Sequence, residues 1–322
     1  MHNKISFLKS APGMILTAIF CNFLWGSAFP CIKIGYQLFR VSASDSSSQI
    51  LFAGTRFTLA GILVILIGSF LSGKKLLPTK INFPKILILA LFQTVLQYLF
   101  FYIGLAHTSG VKSSIIEATS VFMAILISAF FFRMERFTNR KILGCLLGFA
   151  GVVLVNLGGQ SVSMGFQWNG EGFILLSTIS CACATVLIKF FSRTENPVLL
   201  SGWQFFIGGL VMALYGFLTG GHLIVTSGTA WLLLLYLALI SSVAYSLWGI
   251  LLKYHPVSKV SVYGFTNPIF GVLLSTVFLH ENALGWQIFA ALPLVCIGIW
   301  CVNSAGSGNT MEKVTSETSA AK

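Results

Sequence analysis

Ten apolar runs, each about as long as a helix that crosses a lipid bilayer, constrain this chain more than any other feature. They fall at roughly 14–37, 50–72, 84–105, 112–132, 141–158, 170–191, 198–218, 229–251, 258–279 and 286–303. Crossing the hydrocarbon takes about 20 apolar residues of helix. With no water there, backbone groups must bond to one another, and runs without alternation leave the α-helix rather than a lipid-facing barrel. Of 322 residues, 56% are hydrophobic and 9% charged, against roughly 25% charged in soluble domains. The sequence therefore predicts an all-α integral membrane protein with ten transmembrane helices.

Charge gives the orientation. The net charge of +12 would suit nucleic acid only if a folded domain presented a basic face. Here the basic residues sit in short gaps between apolar runs, so the partner they imply is the bilayer and no nucleic acid. With the N-terminus inside, the inner segments hold fourteen Lys and Arg, among them Arg133, Arg136, Arg140 and Lys141, while the outer loops hold only Arg40 and Lys112. The positive-inside rule then predicts a multi-pass protein of the cell membrane with both termini cytoplasmic. The first run has no small-residue cleavage pattern and reads as a retained helix. All seven cysteines fall in or at the end of apolar runs, and no histidine pattern supports a metal site, so neither a disulfide framework nor a cofactor is expected.

The chain repeats itself. The turn "FFRMERFTNRK" (131–141) is echoed by "FLHENALGWQ" (278–287), and a shift of about 146 residues lays Glu135 on Glu281. Near a shift of 148, "TRFTLAGIL" (55–63) falls on "WQFFIGGLV" (203–211). Near 156, Lys33 meets Lys189. Each copy contains five spans, so the second enters the membrane upside down, the geometry of alternating access. The predicted organisation is a cytoplasmic N-terminus (1–13), a first five-helix repeat (14–158), a second, inverted repeat (159–303) and a disordered cytoplasmic tail (304–322).

At this point the chain resembles the drug/metabolite transporter superfamily, specifically its EamA-like branch of metabolite and amino-acid exporters. The resemblance is carried by "LWGSAFPCIK" (24–33), "RFTLAG" (56–61), residues 102–155 and "NPIFGVLLSTVFLHENALGWQ" (267–287). It implies a secondary transporter and turns the face of span 1 that bears Trp25 and Lys33 toward a central cavity. Such repeats usually carry a proline in both span 4 and span 9. Asn267-Pro268 supplies the second, but Val121-Phe122 stands at the first, so unequal bending of the two halves is expected.

Charges within a membrane are costly unless paired or solvated, which makes each a functional candidate. Glu117 shares a stripe of span 4 with Ser113, Ser120 and Ala124. At 1.5 Å per residue its depth matches that of Arg56 in span 2, and Lys33 approaches the same level. Glu117 is therefore read either as half of an ion pair with Arg56 or Lys33, or as the group that binds a proton or a cargo amine. Lys189 and Lys259 suit span ends, where a cation meets the helix dipole or the headgroups. A second set is aromatic: Tyr98 and Tyr102 with Gln97 in span 3, Tyr245 and Trp248 in span 8, and Tyr263 with Asn267 in span 9. Polar-tipped rings at helical spacing either line a pocket or pack and belt the interface.

The expected function is export of small organic metabolites by alternating access around a central cavity. The resemblance favours neutral or zwitterionic amino acids, with drug-like compounds or a passive channel as alternatives. Without a GK[ST] loop, ATP drive by this chain is not expected, and Glu117 is the candidate for proton coupling. An intramembrane enzyme fits poorly, since no HExxH occurs, histidines sit at loops or span ends, and Asp45 is the sole aspartate. A homodimer is the candidate assembly.

Overall fold

A computed structural model describes residues 2–42, 44–105, 107–108, 113, 116–157, 166–279 and 286–304; for 2–5, 155–157, 279 and 288 it describes the backbone alone. Glu281, Lys112 and the tail after Ser304 lie outside the described residues. Within them, every regular element is helical. In chain order these are α1 His2–Lys9, α2 Ala11–Leu38, α3 Ser46–Ser72, α4 Phe83–Leu105, α5 Ile116–Phe131, α6 Asn139–Leu157, α7 Trp168–Phe191, α8 Pro197–Leu218, α9 Gly228–Tyr254, α10 Val257–Phe278 and α11 Trp286–Ser304. Seven of them (α2, α3, α4, α7, α8, α9 and α10) are long and apolar enough to cross a membrane, and α5, α6 and α11 are shorter.

Helix ends fall where capping chemistry dictates. Ser10 Oγ accepts from Gly13 N at 3.2 Å to start α2. Asp45 Oδ1 accepts from Ser48 N at 3.0 Å to start α3, and Asn196 Oδ1 accepts from Val198 N at 2.9 Å to start α8. Each satisfies an orphan donor of a first turn. Gly73 closes α3 at φ +64°, a conformation that costs glycine little. α9 ends where Pro256 forces His255 into extended backbone.

The surface is inverted relative to a soluble protein. Phe70, Phe131 and Trp168 stand exposed, while Arg56, Glu171, Gln204 and Ser241 are buried. Apolar side chains outward and polar ones inward is the pattern expected of a bundle in lipid.

Without a hydrophobic drive between helices, close contact depends on small residues. Along the α3–α8 seam, a Cβ added to Gly54 would lie 2.2 Å from Ala213 N, one on Gly61 2.4 Å from Phe206 N and one on Gly209 2.3 Å from Thr58 N. Partner numbers fall as α3 ascends, so the two helices run antiparallel. Gly144 and Gly298 bring α6 and α11 together in the same way, each within 2.6 Å of the other's carbonyl by the same measure.

Among the described residues four helices depart from α geometry, α7 by opening on a π-helical turn, Trp168–Gly172. α4 contains a π-helical stretch, Ala90–Leu96, and α5 ends in another, Ile127–Phe131. α10 passes through a 3-10 stretch, Val262–Thr266, before Asn267. α5 is interrupted at Thr119, whose Oγ1 donates to the Ile116 carbonyl at 2.6 Å; Thr266 Oγ1 donates to the Tyr263 carbonyl at 2.7 Å. Helix geometry is thus interrupted in both places, in α5 without a proline.

The basic turn between α5 and α6 folds onto the start of α10. Glu135 accepts from Lys141 Nζ at 2.8 Å and from the backbone N and the hydroxyl of Ser258. The carboxylate caps the first turn of α10 and the lysine neutralises it. On the other side of the same turn, Lys189 Nζ donates to the carbonyls of Lys253 and His255 at 3.3 and 2.9 Å. It ties off the end of α9, a partner that a position near a span end does not by itself supply. α1 docks beside it, with His255 Nε2 2.8 Å from the Leu8 carbonyl and Lys9 over the Tyr254 ring.

Candidate functional site

Side chains from α2, α3, α4, α5, α7, α9 and α10 surround a cavity of about 240 Å³ at the middle of the bundle. That is somewhat below the roughly 300–1,000 Å³ of drug-sized pockets, a volume for a small metabolite. Helical spacing explains why single elements contribute in steps. α2 offers Asn22, Trp25 and Phe29, while α5 offers Glu117, Ser120, Val121 and Ala124. The π stretch of α4 places Gln93, Gln97 and Tyr98 on the same cavity.

The aromatic wall is interlocked. Trp25 meets Tyr245 and Trp248 edge-on, with 5.0 Å between ring centroids in each case. Tyr98 and Tyr245 share a hydroxyl–hydroxyl bond of 2.8 Å. Phe57 and Phe205 stack behind them at 5.2 Å. Such pairs fix ring positions before any cargo enters.

Charge is arranged differently from the expected ion pair. Arg56 is buried and its guanidinium is engaged elsewhere: Nε and Nη2 donate to Ser241 Oγ at 3.2 and 2.9 Å, and Nε also to the Leu237 carbonyl at 3.3 Å. It lies over Phe57 as well, 5.2 Å from the centroid. Among the described residues, Glu117 forms no ion pair or hydrogen bond, with Arg56, Lys33 or any other group. It lines the cavity as an unpaired side chain.

Buried polar atoms without a partner gather at the same place. Asn22 Oδ1, Trp25 Nε1, Gln97 Oε1, Ser261 Oγ and Asn267 Oδ1 have none among the described residues, and all five residues line the cavity. Native interiors rarely leave such atoms unpaired, so their convergence marks a place for a polar guest.

Of the eleven residues expected along the pathway, Trp25, Arg56, Gln97, Tyr98, Tyr102, Glu117, Tyr245, Trp248 and Asn267 line this cavity. Lys33 and Tyr263 do not. Lys33 is exposed, and Tyr263 is buried away from the cavity, its hydroxyl accepting from Asn303 Nδ2 at 3.3 Å. The sequence reading missed Asn22, Ser177, Thr178, Cys181 and Ser261 on the lining. Asn22 carried a signal, a lone amide three residues before Trp25 within an apolar run; Cys181 was read only as one of seven cysteines in apolar runs. It also singled out Glu117 as the intramembrane acid, whereas Glu171 at the start of α7 is buried too, accepting from Thr108 Oγ1 at 2.6 Å and from Gln167 N at 2.7 Å.

Among the described residues, no group of three His, Cys, Asp or Glu side chains is placed to hold a metal ion.

Comparison with known proteins adds a lineage to this geometry. The sequence model of the EamA-like transporter family matches the chain twice, over residues 12–157 and again over 168–304. An "uncharacterized transporter" of Archaeoglobus fulgidus is 28% identical over 289 residues, spanning 86% of this chain and 94% of its own length. Protein PecM of Dickeya dadantii is 28% identical over 278 residues, 83% of this chain and 89% of that protein. A chloroplastic WAT1-related protein of Arabidopsis thaliana is 27% identical over 295 residues, 87% of this chain and 67% of that protein. A solved crystal structure superposes with a TM-score of 0.76 at 18% identity, covering 92% of this chain and 99% of the other. At that identity the likeness concerns the fold alone.

Proposed function

This chain belongs to the EamA-like transporter family, and from that premise we propose that it exports small organic metabolites, with zwitterionic amino acids the favoured cargo, by alternating access of two inverted five-helix repeats. The observation that carries the reading is the cavity itself. It holds an uncommitted carboxylate, a ring-walled floor and several unpartnered polar atoms, drawn from both stretches that the family model matches. Two matched stretches of five helical segments each fit a duplication, and an odd number of spans per copy inverts the second. In this reading the chain sits in the cell membrane with both termini cytoplasmic, as the distribution of Lys and Arg favours.

A zwitterion suits the cavity because Glu117 offers the charge an ammonium needs, while Arg56, held by Ser241, keeps a positive field on the lining without being mobile. The test is counterflow in proteoliposomes loaded with amino acids and small metabolites and analysed by mass spectrometry. Saturable, stereoselective exit supports a carrier. Unsaturable leakage of every small compound would turn the reading to a channel.

A further inference from the structure

We propose that one face of α2 selects the cargo: Asn22 accepts a hydrogen bond from its ammonium, and Trp25 donates one to its carboxylate oxygen, so the site takes an α-amino acid whose amine is unmethylated. The inference rests on the carrier reading above and adds which groups recognise what.

The orientation of the Asn22 amide is fixed by chemistry. Its Nδ2 donates to the Ala18 carbonyl at 2.8 Å, and a carbonyl can only accept, so Oδ1 is the end left over. That oxygen is buried on a side chain 1% exposed and has no partner among the described residues. The indole nitrogen of Trp25 is a donor only, and it too is buried without a partner. Three positions apart on a helix, the two share a face and are offset by about 4.5 Å along its axis. Both line the cavity.

One acceptor and one donor a few ångströms apart suit a molecule with a donor and an acceptor on neighbouring atoms. Glu117, on the α5 part of the same lining, decides which pole goes where, because an uncommitted carboxylate draws the ammonium. The indole is already held between Tyr245 and Trp248, so little ordering remains to be done when cargo arrives. A site built to bond an N–H discriminates strongly against an analogue that lacks it, because its own polar atom is then left buried and unpaired.

The test uses the full chain in proteoliposomes. The load is an equimolar pool of the common amino acids, their N,N,N-trimethyl counterparts and the matching desamino acids, with counterflow followed by mass spectrometry. The expected result is saturable exit of one or more free amino acids, with trimethyl and desamino counterparts at least about tenfold slower. Asn22→Leu should narrow the ratio of free to trimethylated cargo below about threefold, and Trp25→Phe should raise the half-saturation concentration about tenfold. The wild-type ratio decides the matter even if Asn22→Leu does not fold. Equal exit of methylated and free amines, an unchanged ratio in folded Asn22→Leu, or saturable exit confined to desamino acids would overturn the inference. No saturable exit of any compound from folded protein would overturn the carrier reading itself, and this inference with it.

Discussion

The hydroxyls of Tyr98 and Tyr245 lie 2.8 Å apart although the residues are 147 positions apart in sequence. One comes from each of the two stretches that the family model matches, and they meet at the cavity wall. Two groups that share one bond lose it together. Tyr98→Phe and Tyr245→Phe should each cost about 1 kcal/mol, and the double variant little more than either single. A thermal double-mutant cycle measures the coupling; additive losses would mean the hydroxyls act separately.

Glu135 joins two segments that neither α5 nor α10 could hold alone. Glu135→Gln leaves the buried Lys141 ammonium without its counter-charge, and removing one partner of a buried pair costs about 3 kcal/mol. Ser258→Ala keeps the backbone bond and should cost about 1.5 kcal/mol. Thermal unfolding of the detergent-solubilised protein ranks the two; the reverse order would place the energy in the hydroxyl.

The glycine seam gives a contrast within one protein. A methyl at Gly61 would stand 2.4 Å from the backbone of α8, so Gly61→Ala must push α3 and α8 away from each other, at roughly 1–3 kcal/mol. Gly228 has nothing within 4 Å of the same position, and Gly228→Ala should fall within about 0.5 kcal/mol of wild type. Melting temperatures of the pair suffice to check this.

Asp45, outside the spans, supplies a pH dependence. The hydrogen bond from Ser48 at the first turn of α3 holds its carboxyl below the usual carboxylate range. A depressed folded-state value means that the cap stabilises above the ordinary carboxylate pKa of about 4 and is lost as pH falls through the folded value. Measured in a His222→Ala background, because that imidazole lies 3.9 Å from Asp45 Oδ2, the melting-temperature gap between Asp45 and Asp45→Ala should therefore be constant from neutral pH to about 5 and close below about 4. A gap that widened with acid would contradict the assignment.

If Glu117 couples protons to transport, Glu117→Gln should abolish flux driven by a pH gradient while leaving counterflow exchange at a raised half-saturation concentration. Equal loss of both would assign the carboxylate to cargo binding alone.

The helices were legible because a bilayer imposes length and polarity on any chain that crosses it. Their ends were less so: Ser10, Asp45 and Asn196 begin helices from just outside the apolar runs that mark them. Depth along a span could be counted, and it placed Arg56 level with Glu117. Depth does not say which neighbour a side chain turns toward, and Arg56 turns to Ser241 on α9. The same blindness to azimuth grouped Tyr263 with Asn267. Glu135 was readable as a repeated mark, but its partner Ser258 is 123 residues away, a distance that no local pattern spans. Asn22 was overlooked because a single amide in an apolar run offers no period from which to read a face.

The π-helical stretch at Ala90–Leu96 makes the aim of α4 depend on the width of a turn rather than on composition. A wide turn holds one residue more than an α turn. Were the stretch to tighten to α geometry with every residue kept, everything beyond it would swing by roughly 100°. Gln97, Tyr98 and Tyr102 would rotate off the cavity together, with no side chain altered. The selectivity of the wall is thus written in the width of one turn, and a change of hydrogen-bond pattern from π to α would rewrite it at a single stroke.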